Sequence, residues 1–354
     1  FKRKENALFI FIRLWRQFSR IRKIQSIGLL LLMLLSGYAE LLSLGSVIPF
    51  LSILSDPKNV LNFPFLQVFP LEQFSNDQIL ILTCVIFIST ITLAGFIKCI
   101  SLFLIGKFSA KVGNRLSFRI FSSILNQDYD YHLNQNTSDL IATLTIRING
   151  TIFGINTMFQ IASALLVVIS LLIGLFLINF KVALLMISIF LMTYGILAKS
   201  FKDEITSNAI KEDTFLNKRI RVIQESFGFI RNIILDGSQK IFTKNYTFLD
   251  SEERNLITRN NFLGASPRFI LEMIGMGAIA LIGTLWTISL GSKVNIIPLL
   301  GAMALAAQKL LPALQQIYAG WVQIKTTNVG TLSVLKILEQ PINNNLMGNK
   351  NIFL

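Results

Sequence analysis

A chain of 354 residues that is 53% hydrophobic and only 15% charged, with a mean hydropathy of +0.61, is too apolar for a soluble domain and reads as a multi-span membrane protein. Its 33 Lys and Arg against 19 Asp and Glu leave a net charge of +14. That excess does not point to nucleic acid, because the basic residues sit in segments flanking apolar runs and so report membrane orientation first.

In chain order, residues 6–24 place Leu8, Phe11, Leu14, Trp15 and Phe18 on one helical face and Arg13, Arg16 and Arg20 on the other, the pattern of an amphipathic interfacial helix. The first span covers about residues 27–54. Glu40 lies in it with Ser36 and Ser43 at i−4 and i+3, and that shared face should look inward. Pro49 should kink or end the helix, and residues 55–76, with Pro57, Pro64 and Pro70, read as an external loop.

A second helix runs from near Asp77 to about Leu125, roughly 70 Å against a hydrocarbon core of about 30 Å, so it must project well beyond the membrane. Cys84 and Cys99 on this helix stand about 22 Å apart, beyond disulfide reach of each other. The stretch QDYDYHLNQNTSD (127–139) breaks the pattern, and a third helix then runs to Asn179, its apolar part crossing at 152–177.

After a short turn at Asn179–Lys181 comes a fourth span, 182–198, and then a long excursion, 199–268, with 12 Lys or Arg and 9 acids, interrupted near 225–237. The fifth span, 269–290, and the sixth, about 296–321, are joined by GSKVN. The last helix leaves the membrane over 323–339, and Pro341 ends it. The external loops carry Lys58, Lys181 and Lys293 and no other Lys or Arg, which places both termini in the cytoplasm. The expected fold is therefore an all-α membrane protein of six long spans with cytoplasmic extensions.

The sixth span, GAMALAAQKLLPALQQIYAGW (301–321), is the most informative stretch. Gln308, Lys309, Pro312, Gln315 and Gln316 fall within an arc of about 120°, at 100° per residue, and Gln323 extends the stripe. Such a stripe faces other helices or a wet cavity. The plainer reading is that Lys309 snorkels or pairs with a carboxylate, Glu40 being the candidate. No G-x-x-x-x-G-K-[ST] phosphate loop and no LSGGQ-like stretch occurs, so ATP and Mg, if used, are bound outside this segment.

The long helices in pairs, the small outer turns, two brief inner interruptions, and the stretches AELLSLGSVIPFLSIL (39–54), QDYDYHLNQNTSDL (127–140) and AAQKLLPALQQIY (306–318) together resemble the transmembrane half of an ATP-binding cassette exporter. Among these, the chain is most similar to exporters that flip lipid-linked saccharides or export polysaccharide. The resemblance implies an elbow helix at 1–24, a six-span domain at 25–340, and a linker at 341–354 leading to a nucleotide-binding domain. It also implies a homodimer in the cell membrane. Two coupling helices, matching Asp128–Asn134 and Phe227–Asn232, would present Tyr129, Tyr131, His132, Phe227 and Phe229 to the nucleotide-binding domain. His132, the sole histidine, is otherwise an ordinary exposed residue, and no metal site is expected.

On this reading Lys98, Arg268 and Lys309, with Glu40, Gln315 and Gln316, line a cavity that takes an anionic headgroup of a membrane lipid from the inner leaflet by charge-assisted hydrogen bonds. Lys98 and Arg268 snorkelling, with Glu272 one turn from Arg268, is the competing account. A peptide or drug exporter shares the fold and differs in cavity lining. An ATP-independent channel or secondary transporter calls for more intramembrane acids or broken helices than are present.

Overall fold

The computed structural model describes residues 7–55, 75–178, 180–290 and 297–340. Most of the loop expected at 55–76, the GSKVN turn, Asn179 and the tail from Pro341 lie outside the described residues. Every described element is helical. Among the described residues, three helical segments are long and apolar enough to cross a membrane by length and composition: Arg20–Leu54, Asn76–Leu125 and Thr137–Leu177.

The segment read from sequence as one helix, 6–24, is two. Helix α1 (Ala7–Arg16) ends at Arg16, and α2 (Arg20–Gly45) starts at Arg20 with Ser19 extended at its N-cap. Between them Phe18 turns inward against Phe108, and Arg119 donates to the Gln17 side chain at 2.9 Å and to its carbonyl at 3.3 Å. The residues of this segment that bury are Ile10, Leu14 and Phe18, while Phe11 and Trp15 stay half-buried. Arg13 closes the far end of the chain onto α1 through an ion pair with Glu339.

Helix α2 stops at Gly45 and α3 (Val47–Ser55) resumes after Ser46. Pro49 explains the break, since it has no N–H for the Gly45 carbonyl four residues earlier and its ring crowds that oxygen. Helix α4 (Asn76–Leu125) is the 50-residue helix that the periodicity implies, and it opens with a capping box in which Ser75 and Gln78 satisfy each other's backbone N–H.

After α5 (Tyr129–Asn134) and α6 (Thr137–Ala142), a π-helical stretch at Thr143–Arg147 leads into α7 (Ile148–Ile178). Helix α8 (Phe180–Gly228) breaks at Phe229, and α9 (Ile230–Leu235) follows. The second short helix therefore lies about one turn later than the sequence places it, leaving Phe227 in the last turn of α8 and Phe229 at the break. Gly237, at φ 61°, then reverses the chain, with the Ser238 N–H reaching back to the Ile233 carbonyl at 3.1 Å. Helices α10 (Gln239–Leu290) and α11 (Ile297–Leu338) complete the fold and carry Pro267 and Pro312 internally.

Helix α7 is central and packs against α2, α4 and α11, while α8 pairs with α10 along their length. One core joins Ile10, Leu14 and Phe18 to Met33, Ile105, Phe108, Phe159 and Leu335, so α1 is seated on α2, α4, α7 and α11 together. Helices α2 and α7 approach closely because Gly37 has no side chain: a Cβ there would stand 2.8 Å from Ser170 Oγ and 3.2 Å from the Leu166 carbonyl. At Gly28, on the same helix, a Cβ would meet nothing within 4 Å. Gly37→Ala is therefore expected to lower the melting temperature in detergent, by about 1–3 kcal/mol of overpacking. Gly28→Ala should be neutral or stabilising by up to about 1 kcal/mol through helix propensity.

Candidate functional site

A carboxylate in the middle of an apolar helix needs a partner, and Glu40 has two. Lys309 Nζ on α11 donates to Glu40 Oε2 at 2.7 Å and to Ser43 Oγ on α2 at 2.8 Å. Lys98 Nζ on α4 stands 3.9 Å from the other carboxylate oxygen. The side chain of Glu40 is 11% exposed, that of Lys309 27% and that of Lys98 47%. Two cations on one carboxylate leave this three-helix cluster with one positive charge in excess, carried at its open side by Lys98. Ser36, Glu40 and Ser43 are all buried, so the face expected to look inward does so. The neutralisation of Lys309 by Glu40, the plainer sequence reading, is the arrangement present.

The other expected members divide. Gln316 donates to Gln160 on α7 at 3.5 Å, and Gln160 in turn donates to Asn156 at 2.6 Å. Gln315 donates to the Gly264 carbonyl on α10 at 2.9 Å. Gln308 and Pro312, in the middle of the stripe, are exposed. The polar face of α11 thus has its edges bonded to helices on either side and its centre open. Arg268 is exposed on α10 and does not join Lys98 and Lys309; its charge acts on Tyr194 instead. Of the three cations expected to line one cavity, Lys98 and Lys309 meet at Glu40.

A second constellation, not anticipated from sequence, lies beyond the apolar segments. Arg147, in the π-helical stretch and nearly fully buried, donates to Asp213 at 2.9 and 3.1 Å, to Asp139 at 2.7 Å, and to Thr143 and Asn217 at 3.0 Å. Burial works against its charge, and the ion pairs with Asp213 and Asp139 answer it. Arg219 grips Glu253 bidentately at 2.8 and 3.0 Å, Arg259 meets Glu204 at 2.7 Å, and Asn208 donates to Asn260 at 3.1 Å. These bonds lace α8 to α6 on one side and to α10 on the other. Glu212 sits among them, and burial, followed by the Glu253 and Asp213 charges, pushes its carboxyl up to about 7. The sequence signal for Arg147 was faint, since only Thr143 lies one helical turn away and its charged and amide partners lie 8, 66 and 70 residues away.

At the ends of the helix pairs, α5 exposes Tyr129 and His132, with Tyr131 half-buried, and the end of α8 and the break before α9 expose Phe227 and Phe229. The Tyr131 hydroxyl is pushed up by burial, against a hydrogen bond with Gln340. Among the described residues no group of His, Cys, Asp or Glu is arranged to hold a metal ion.

The helices and this site define a membrane-embedded, all-helical transport domain. The family described as the ABC transporter transmembrane region matches residues 26–308, well over half of the chain, and the chain belongs to that family.

Two outcomes follow from these clusters. Lys309→Met or Glu40→Gln alone is expected to cost about 3 kcal/mol, the low end for removing one partner of a buried pair. Glu40→Gln with Lys309→Met should restore more than half of it, read as a coupling energy from unfolding in detergent. For Glu212 the folded carboxyl lies above its reference of 4.5, so the folded state holds the extra proton and stability falls as pH rises from about 4.5 to about 7. Glu212→Gln should melt like the wild type at pH 4 and at a higher temperature at pH 8, which thermal scans across that range will check.

Proposed function

We propose that this chain is the six-span membrane half of an ATP-driven exporter that moves an amphipathic, anionic lipid, a lipid-linked saccharide or similar, from the inner leaflet outward. The observation that carries the reading is the Glu40, Lys98 and Lys309 cluster, an uncompensated cation in an apolar setting beside the open centre of the α11 stripe. In low dielectric one such charge binds a phosphate far more strongly than in water.

In this reading both termini are cytoplasmic, α1 is the elbow helix, and two copies pair so that their polar stripes enclose one cavity. ATP and Mg are held by nucleotide-binding domains, against which α5 presents Tyr129, Tyr131 and His132 and the α8–α9 break presents Phe227 and Phe229. The laced helices α8 and α10 carry motion from those contacts to the cavity as levers, and the Arg147 and Arg219 pairs keep them from sliding independently. Gln315 and Gln316 hold α11 between its neighbours, and Arg268 stands apart from the headgroup site.

The test is Lys98→Gln in the complete transporter, reconstituted with its nucleotide-binding domains. Lys98 is half exposed, so folding is preserved. For a pyrophosphate-linked lipid, the concentration giving half-maximal stimulation of ATPase should rise about tenfold, the equivalent of about 1.4 kcal/mol, with basal ATPase unchanged. An unchanged response would remove the anionic substrate and leave a neutral peptide or drug exporter.

A further inference from the structure

Helices α2 and α4 pack antiparallel, and one end of their seam carries charge of a single sign. Residues 25–32 of α2 and 104–111 of α4 line a cavity of about 400 Å³, within the range of ligand pockets. Leu32 and Leu104 form its apolar end, and Gln25, Lys107 and Lys111 the other. Gly28 lies between, where an added Cβ meets nothing within 4 Å. A narrow cleft lined by Arg22, Arg115 and Arg119 continues the seam beyond the lysines.

These five cations stand without carboxylates. Residues 7–39 and 78–127 hold no Asp or Glu except at none of their positions near the seam, Glu40 and Asp77 being the nearest in the chain. Lys107, Lys111, Arg115 and Arg119 recur at i, i+4 over about 18 Å of α4, a spacing at which like charges repel. Among the described residues none of the five is in an ion pair; Arg22 donates to Gln25 at 2.6 Å, Arg119 to Gln17 at 2.9 Å, and the Lys107 ammonium lies 5.9 Å from the Phe103 ring. Other cations of the same helices are answered within the fold, Arg13 by Glu339 and Lys98 by Glu40. The seam is where the chain leaves neutralisation to something outside it.

We infer that this seam binds an anionic glycerophospholipid, its phosphate held by Lys107, Lys111 and Arg22 and the start of its acyl chains laid along Leu32 and Leu104. Charge-assisted bonds from ammonium and guanidinium suit a phosphodiester, and a basic pocket between spanning helices is the setting in which such headgroups are held. The apolar end, continuous with the cations, selects a lipid over a free anion. A bound phosphate also offsets the repulsion along α4 and ties α4 to α2. Lys98 lies nine residues before Lys107, about 14 Å along α4 and half a turn round it, so this lipid meets neither Glu40 nor Lys309. That its leaflet is the cytoplasmic one rests on the orientation proposed above; the binding does not.

The test is lipid binding to the complete transporter in detergent, counted by native mass spectrometry. It needs no transport, so its failure is distinct from failure of the exporter reading. Phosphatidylglycerol should fill one tight site per protomer ahead of weaker ones, and phosphatidylcholine should show no such site. Lys107→Gln with Lys111→Gln, both exposed, should weaken the tight site about tenfold at an unchanged melting temperature. Gly28→Trp fills the cavity with every cation kept and should weaken it by about tenfold or more. Arg16→Gln with Arg20→Gln removes the same charge from exposed positions outside the cavity and the cleft and should change the affinity by less than about twofold. An equal loss from the Arg16 and Arg20 pair would show diffuse attraction and overturn the site. Binding indifferent to headgroup charge, or undiminished by Gly28→Trp, would overturn it as well. Full displacement by water-soluble glycerol phosphate would do the same, by showing a free anion in place of a lipid.

Discussion

The structure turns on one carboxylate that has no business in hydrocarbon unless something answers it. Glu40 lies in an apolar helix, and an isolated buried charge costs several kcal/mol even after relaxation. Lys309 and Lys98 answer it from α11 and α4, and in doing so they fix the rotation of three helices about a single point. Apolar packing among Leu, Ile and Val tolerates small rotations and slips; a lysine ammonium that must reach one carboxylate oxygen and the Ser43 hydroxyl does not. The cluster therefore acts as a register pin, and the extra lysine is what converts a structural ion pair into a site with net charge.

Away from the apolar segments the same logic is applied with arginine. Lysine presents a point charge on a flexible stem, whereas the guanidinium of Arg147 places its donors in a rigid fork. That fork reaches Asp139, Asp213 and Asn217 at once, which ties the end of α6 to the long helix α8. Arg147 closes the π-helical stretch, and such stretches shift the facing of a side chain relative to a regular helix. Where α8 meets α10, Arg219 and Arg259 repeat the device. Two helices of 49 and 52 residues are thereby tied side by side at several levels and not by apolar contacts alone.

Helix α11 then serves two environments with its two faces. Its polar stripe, bonded at the edges and open in the middle, looks onto the space bounded by α2 and α10. Its opposite face is aliphatic and aromatic, and closes an apolar cavity with α7 and α8. A helix with both faces committed is constrained in rotation, and α11 runs unbroken through Pro312 in its middle.

Much of this was legible in the residues. The 50-residue α4, the inward face of Ser36, Glu40 and Ser43, and the need of Lys309 for a partner follow from hydropathy and helical periodicity, which are local properties of the chain. The break after Gly45 was signalled by Pro49, although the end of α1 at Arg16 was not, because the burial of Phe18 that turns the chain there depends on Phe108 ninety residues on. Periodicity says that a face is polar and cannot say which distant face it meets. That Lys98 rather than Arg268 shares Glu40, that Arg147 finds Asp213, and that the rings of Tyr194 and Tyr318 pack together were decided only by how the helices pack. Each of those outcomes is a contact between residues far apart in the chain, set by interhelical geometry that no single helix encodes.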